Sequence, residues 1–239
     1  MRYYFNGCSH TIGNDLADHR QAWPFAVAKA QNAVCYNHAI SGNSNDHMLY
    51  ETVKNLHNYD KFYVAWSYHS RCTRYRSDNN HPVVMNVQHQ NGTYGRTKEY
   101  QQYCKLYYKF WYNQLQSLKQ WLQQILMLQS LFKAEDKQYK MIFITDNNLE
   151  YALSSRQNFQ DYVKLLESFD CTPDETFDKD FAELQMYTDM FDTSQFIGWK
   201  VPDIKVETLS KQCPVGPTGH LLHQGHEKIA EYIIKHDTH

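Results

Sequence analysis

A serine set between a strand and a helix is the first chemistry this chain offers. Arg2-Tyr3-Tyr4-Phe5 is a run of strand formers, Asn6-Gly7-Cys8-Ser9-His10 turns sharply, and Gly13-Asn14-Asp15 leads into a helical pattern. Ligands of open α/β sheets sit beyond the carboxyl ends of the strands, where Ser9 falls. A serine hydroxyl there needs a base to take its proton and donors to hold an oxyanion. Two further turns carry suitable groups: Ser41-Gly42-Asn43-Ser44-Asn45, and Gly219-His220 with Gly225-His226. Cys8 is a rival nucleophile, since a thiolate at a helix N-terminus is acidified, but its side chain should point back toward the sheet. His220, His223 and His226 stand three apart and invite a metal reading. No acid or cysteine accompanies them, so no metal is expected. Arg71, four residues beyond Ser67, suits a substrate anion or a structural ion pair equally. Asp46 reads as a helix cap.

The elements that position these groups follow from the hydrophobic pattern. Leu16, Trp23, Phe25, Ala26, Val27 and Ala30 predict a helix over about 14–31, with a break or kink at Pro24. Ala33-Val34-Cys35-Tyr36 is of strand length. Met48, Leu49, Val53 and Leu56 mark one face of a helix over about 46–57. Lys61-Phe62-Tyr63-Val64-Ala65-Trp66-Ser67 reads as a strand buried on both faces. Strand–helix–strand–helix–strand implies right-handed crossovers and a parallel sheet. Residues 68–97 read as irregular, with Arg71, Arg74 and Arg76 close together. A long helix is expected over about 98–134, with Trp111, Leu115, Leu118, Leu122, Ile125 and Phe132 on its core face. Lys140–Thr145 is a fourth strand, ending at the turn Asp146-Asn147-Asn148. Two helical segments, about 157–168 and 179–191, flank Cys171-Thr172-Pro173-Asp174 and suggest a cap or insertion over about 150–200. The last helix starts near His223 and buries Ile229, Ala230, Ile233 and Ile234. With no repeat and no linker, the 239 residues read as a single α/β domain.

Composition narrows the class. With Lys+Arg 24 against Asp+Glu 26 there is no basic footprint for nucleic acid. No apolar run approaches the roughly 20 residues of a membrane span, so no membrane partner is expected. The six cysteines are scattered without a CxxC pair, which suits free thiols in a reducing compartment. A strand begins at once, with no signal-peptide pattern, so cytoplasmic synthesis is the expectation.

Taken together, Gly7-Cys8-Ser9, Gly42 and His220 in Gly219-His220-Leu221-Leu222-His223-Gln224-Gly225 resemble the blocks of the SGNH (GDSL-type) hydrolases. The resemblance covers roughly the first 70 and last 25 residues. It looks closest to compact SGNH-like proteins of bacteriophages, which share a Gly-Cys-Ser start, a Gly-x-Ser-Asn-Asp loop and a strand ending in Trp-Ser. What it implies is a three-layer α/β/α sandwich with a mostly parallel sheet, and an esterase or deacetylase working through a serine-bound acyl group. Ser9 would be the nucleophile and His220 the base, with Gly42 in the oxyanion hole and no cofactor. The substrate would be a small ester or an O-acylated carbohydrate, and a virion or other protein partner is compatible with a phage origin.

Two departures from the family pattern matter. The family's third block supplies an oxyanion asparagine, where this strand ends in Ala65-Trp66-Ser67; Ser67 would stand in, or Asn43 or Asn45 from the neighbouring loop. The family also places an aspartate two or three residues before the histidine. Pro217 and Thr218 occupy those positions, so a backbone carbonyl or the Thr218 hydroxyl would have to orient His220. The alternative is a lapsed site whose fold serves as a structural or host-interaction binding module.

Overall fold

The computed structural model describes residues 1–75, 82–86, 97–145, 152–166, 177–199 and 204–237. Arg76, the turn at Asp146, and the segment with Cys171 lie outside them. The chain divides into two compact units: residues 1–68, 128–146 and 192–239 form the first, residues 69–127 and 147–191 the second.

The first unit is a three-layer α/β/α sandwich around five parallel strands. β1 (Arg2–Asn6), β2 (Val34–Asn37), β3 (Lys61–Ala65), β6 (Gln138–Ile142) and β7 (Phe196–Ile197) lie in the order β2-β1-β3-β6-β7. The register pairs Tyr3 with Cys35 on one side and with Lys61 on the other. Because β1 is followed by a neighbour on each side in turn, the chain reverses direction across the sheet between β1 and β3. Such a switch point opens a crevice at the carboxyl ends of the two strands.

Alternation along β1 and β3 fills two cores. Tyr3, Phe5, Tyr63 and Ala65 pack with Trp23 and Val27 of α2 (Trp23–Ala30), with Val206 and Leu209 of α8 (Val206–Leu209), and with Ile229, Ala230 and Ile233 of α9 (His223–His236). Phe5 stacks on Tyr63 at 4.7 Å between ring centres. On the opposite face Tyr4 meets Phe62, and Phe62 meets Phe132 at 5.0 Å. Truncating a fully buried phenylalanine such as Phe62 to alanine costs about 3–5 kcal/mol.

Several expectations change. The helix predicted over 14–31 is shorter: α1 (Ser9–Ile12) ends at Gly13 ahead of it, a 3-10 turn spans His19–Gln21, and α2 begins only at Trp23. Pro24 lies in the first turn of α2 rather than breaking it, since an amide there has no intrahelical acceptor to lose. In α3 (Asn45–Lys54) Met48 and Thr52 face inward whereas Val53 is exposed. Ile234 is likewise exposed on α9.

The second unit contains the antiparallel pair β4 (Cys72–Tyr75) and β5 (Pro82–Met85), in a stretch expected to be irregular. The long helix is two helices, α4 (Lys98–Phe110) and α5 (Gln114–Ala134), the latter's residues from 128 onward counting with the first unit. Asn113 makes the break: its side chain accepts the Gln116 N–H at 2.8 Å, as an N-cap does. Trp111, expected in the core, is 80% exposed at that break, while Leu118, Leu122, Ile125 and Phe132 are buried as expected. α6 (Arg156–Leu166) and α7 (Phe177–Asp189) also belong to this unit. Lys119 bridges Asp180 and Glu183 of α7.

Candidate functional site

Three loops at the carboxyl edge of the sheet, all in the first unit, are tied together by hydrogen bonds through β1 and its following turn. Asn6, at the end of β1, donates to Tyr4 Oη at 2.9 Å and to the Met48 carbonyl at 3.1 Å. Its own Oδ1 accepts the Gly7 N–H at 2.8 Å, which sets the turn. A Cβ on Gly7 would lie 2.2 Å from Thr11 Oγ1, so only glycine lets α1 fold down so closely. Cys8 is the N-cap of α1 and is buried, as expected for a side chain directed at the sheet. Ser9 follows as the first helical residue, 5% exposed. Its N–H is among the helix-start donors that have no acceptor within the helix.

The Gly42 loop joins this turn directly. The Ile40 N–H and Asn43 Nδ2 both donate to the Gly7 carbonyl at 3.2 Å, and Asn14 Nδ2 donates to Ser41 Oγ at 2.8 Å. Gly42 has φ +74°, and a Cβ there would touch nothing within 4 Å. Its backbone is thus bent as glycine allows, with open space around it. Asn43 and Asn45 are spent on the loop itself. Asn43 Oδ1 faces His47 Nδ1 at 2.9 Å and accepts the Ser44 N–H at 3.1 Å. Asn45 grips the backbone of Ser67 twice, accepting its N–H at 2.8 Å and donating to its carbonyl at 3.1 Å. This clamp carries the end of β3 to the Gly42 loop. Asp46 accepts from the Ser44 hydroxyl and from the His47 N–H, within the first turn of α3.

The His220 loop arrives from the other end of the chain. Its stem is closed by the Gly216 N–H donating to the His220 carbonyl at 2.8 Å, and by the Gly219 N–H donating to the Gly216 carbonyl at 3.0 Å. Gly219 takes φ +84°. The His220 ring lies against His10, the residue after Ser9, with ring centres 4.8 Å apart. Asp15, just beyond α1, anchors the loop. One of its oxygens, Oδ2, accepts the Thr218 N–H at 2.9 Å, the Thr218 hydroxyl at 2.8 Å and the His220 N–H at 3.3 Å. Burial disfavours ionisation of Asp15, but the hydrogen bonds from Thr218 and His220 outweigh it and hold the carboxyl below its usual range. Thr218 Oγ1 also lies 2.8 Å from His220 Nδ1, whereas Asp15 Oδ2 is 3.7 Å from that nitrogen.

Asp15 is the site residue that sequence reasoning missed. Its signals were the turn Gly13-Asn14-Asp15 and the left-handed backbone at Asp15, φ 68°, which neither spacing nor composition reveals. Of the residues proposed from sequence, Ser9, Gly42, Asn43, Asn45, Ser67, Thr218 and His220 share the first unit, and Arg71 lies in the second.

The other two histidines of the triplet, His223 and His226, serve structure. His226 is buried with its Nδ1 accepting the Trp23 N–H at 3.3 Å, so it caps α2. Burial, with the neighbouring His223 and His220, pushes its imidazole down to about 4. His223 pairs with Glu227 at 3.2 Å on the exposed face of α9. Among the described residues no His, Cys, Asp and Glu cluster could hold a metal ion. Cys8, Cys35, Cys72, Cys104 and Cys213 are free thiols. No helix among the described residues is long and apolar enough to cross a membrane.

No known family profile and no curated protein matches the sequence. Solved structures similar to this chain include GDSL lipolytic proteins and carbohydrate esterases. The chain is similar to a member of the lipolytic protein G-D-S-L family from Veillonella parvula, at 12% identity and TM-score 0.43, over 98% of this chain and 97% of that one. It is similar to TesA at 10% identity and TM-score 0.46, over 99% and 97%. It is also similar to the acetyl xylan esterase AlAXEase, at 10% identity and TM-score 0.42, over the whole of both chains.

Proposed function

We infer that this chain is a serine hydrolase of the SGNH type that cleaves an O-acyl ester through a Ser9 acyl-enzyme. The observation that carries this reading is the joining of the two chain ends: Asp15 holds the His220 loop to the end of the Ser9 helix, and the His220 ring rests on His10. His220 would take the Ser9 proton as the hydroxyl attacks the acyl carbonyl, then hand it to the departing alcohol. Water would release the acyl group by the same route in reverse roles. The backbone N–H groups of Ser9 and Gly42, with the Ser67 hydroxyl, are the donors proposed for the oxyanion. An O-acetyl group on a carbohydrate is the substrate class we assign, in keeping with the motif resemblance.

A second reading is a binding module on the same fold, including one borne by a phage particle. It is favoured by Asn43 and Asn45, whose side chains are engaged within the loop rather than offered to an oxyanion. A fluorophosphonate probe separates the two. Labelling of the wild type that is lost in Ser9→Ala and kept in Cys8→Ala supports the hydrolase. No labelling, together with no turnover of acetyl esters, supports the module, and labelling lost only in Cys8→Ala transfers the chemistry to the thiol.

A further inference from the structure

We propose that Asp15 and Thr218 are positioning residues that fix the tautomer of His220, a carboxylate at one end of the chain acting through a hydroxyl at the other. The role builds on the reading of His220 as the base, but the tautomer can be observed without any turnover.

The argument is a count of protons. Ionised Asp15 can only accept hydrogen bonds, and Thr218 Oγ1 has a single proton to give. With Oγ1 2.8 Å from Asp15 Oδ2, that proton goes to the carboxylate. The same oxygen lies 2.8 Å from His220 Nδ1, and it has only lone pairs left to offer there. Nδ1 must therefore carry the ring proton. The lone pair of the neutral imidazole is then on Nε2, the state in which a ring acts as a base through that nitrogen. Direct contact from Asp15 would not suffice, since its oxygen is 3.7 Å from Nδ1.

Two features shape this contact. Asp15 takes φ 68°, the left-handed region open to aspartate because its short carboxyl side chain hydrogen-bonds locally, and three donors converge on its Oδ2 there. Opposite, a Cβ on Gly216 would lie 2.3 Å from Asp15 Cβ, so glycine at 216 leaves the room that Asp15 occupies. The arrangement gives a sharp distinction between two substitutions. In Thr218→Val the backbone N–H groups still reach Asp15, but a methyl replaces the hydroxyl and Nδ1 loses its acceptor. In Asp15→Asn the same three donors select the amide oxygen, so the hydrogen bonds and the tautomer persist while the charge is lost.

The test is nitrogen NMR of imidazole-labelled full-length protein at a pH where His220 is neutral, with His220→Gln assigning the signals. Wild type and Thr218→Ser are expected to show Nδ1–H, and Thr218→Val a mixture or the Nε2–H form. Asp15→Asn is expected to keep Nδ1–H and to titrate at lower pH, because the carboxylate charge 3.7 Å from Nδ1 is lost while His10 of α1 and His226 of α9, which also face the ring, are unchanged. On an ester substrate, Thr218→Val should lower kcat by about 10²–10⁴-fold at little change in KM, with Thr218→Ser restoring most of it. An Nε2–H wild type, or a Thr218→Val protein with unchanged tautomer, overturns the proposal. A tautomer that responds as stated in a chain without esterase activity upholds the relay and removes the hydrolase reading instead.

Discussion

The two ends of the central sheet each carry an aspartate among hydrogen-bond donors, and the two clusters are finished differently. At the amino edge, Asp237 receives Lys61 Nζ at 2.8 and 2.9 Å, Gln31 Nε2 at 2.7 Å and the Tyr63 hydroxyl. Gln31 in turn accepts the Tyr3 hydroxyl at 2.9 Å. The Lys61 and Asp237 side chains are 4% and 0% exposed, so charge is matched and closed off from water. At the carboxyl edge, Asp15 accepts its hydrogen bonds from a surface loop, and one of the donors, the Thr218 hydroxyl, lies against a histidine ring nitrogen. A cluster that holds structure saturates both partners of a buried pair, since an unmatched charge there is costly. A cluster that does chemistry must end in an atom whose proton can move. The first locks α9 to β3; the second, on the proposed reading, aims a ring.

If that contrast is right, substitutions at the two ends should separate activity from stability. The largest effect belongs to Ser9→Ala, expected to lower ester turnover about 10⁴-fold or more while leaving the denaturation midpoint near that of wild type. A large loss of stability instead would make Ser9 a structural residue. Next is Asp237→Ala, which strands Lys61 in the interior and should cost about 3–5 kcal/mol in urea unfolding, with turnover per folded molecule unchanged. Its acid dependence has a definite sign. Burial opposes ionisation of Asp237, yet the bonds from Lys61, Tyr63 and Gln31 outweigh it and hold the carboxyl low. That stabilisation is therefore present above the unfolded value, about 3.9, and fades as pH falls through the folded one.

His226 should give a distinct limb at milder acidity. Its imidazole is pushed down to about 4, so between the unfolded value of about 6.5 and 4 the unfolded chain binds the proton first. Stability should drop across that window as pH falls, by up to about 3 kcal/mol, and then level off. Unfolding curves at pH 7 and 4.5 measure it, and His226→Gln should flatten the drop; an unflattened curve would place the titrating group elsewhere. The smallest effect is Gly42→Ala. The positive φ there costs about 1 kcal/mol for a residue with a side chain, with no clash to add. A turnover loss well beyond that cost would sharpen the assignment of Gly42 to the oxyanion site.

Much of the framework was legible in the residues. The continuous apolar run of β3, the Gly7-Cys8-Ser9 turn and the periodic face of α9 each state their structure locally. Thr218 could be nominated because it takes the place of an expected aspartate. Other features were not legible, because the deciding contact is remote. The pattern of 98–134 is helical throughout, and only the Asn113 cap divides it. Trp111 looks like a core residue until the break leaves it outside. Asn43 and Asn45 read as free amides, yet both are bound to backbone or to His47.

What the sequence alone determined is the strand–helix order of the first 67 residues and the last helix, and the delivery of a serine, a glycine and a histidine to the ends of separate elements. Period-two and helical repeats are local properties, set by backbone geometry and solvent. Which carboxylate meets the histidine's loop was decided only by the fold. Asp15 and His220 are 205 residues apart, and they meet because β1 lies inside the sheet, between β2 and β3, while α9 packs across its face. No spacing rule reaches that far; the contact exists because burying two apolar faces brings the chain ends to one edge.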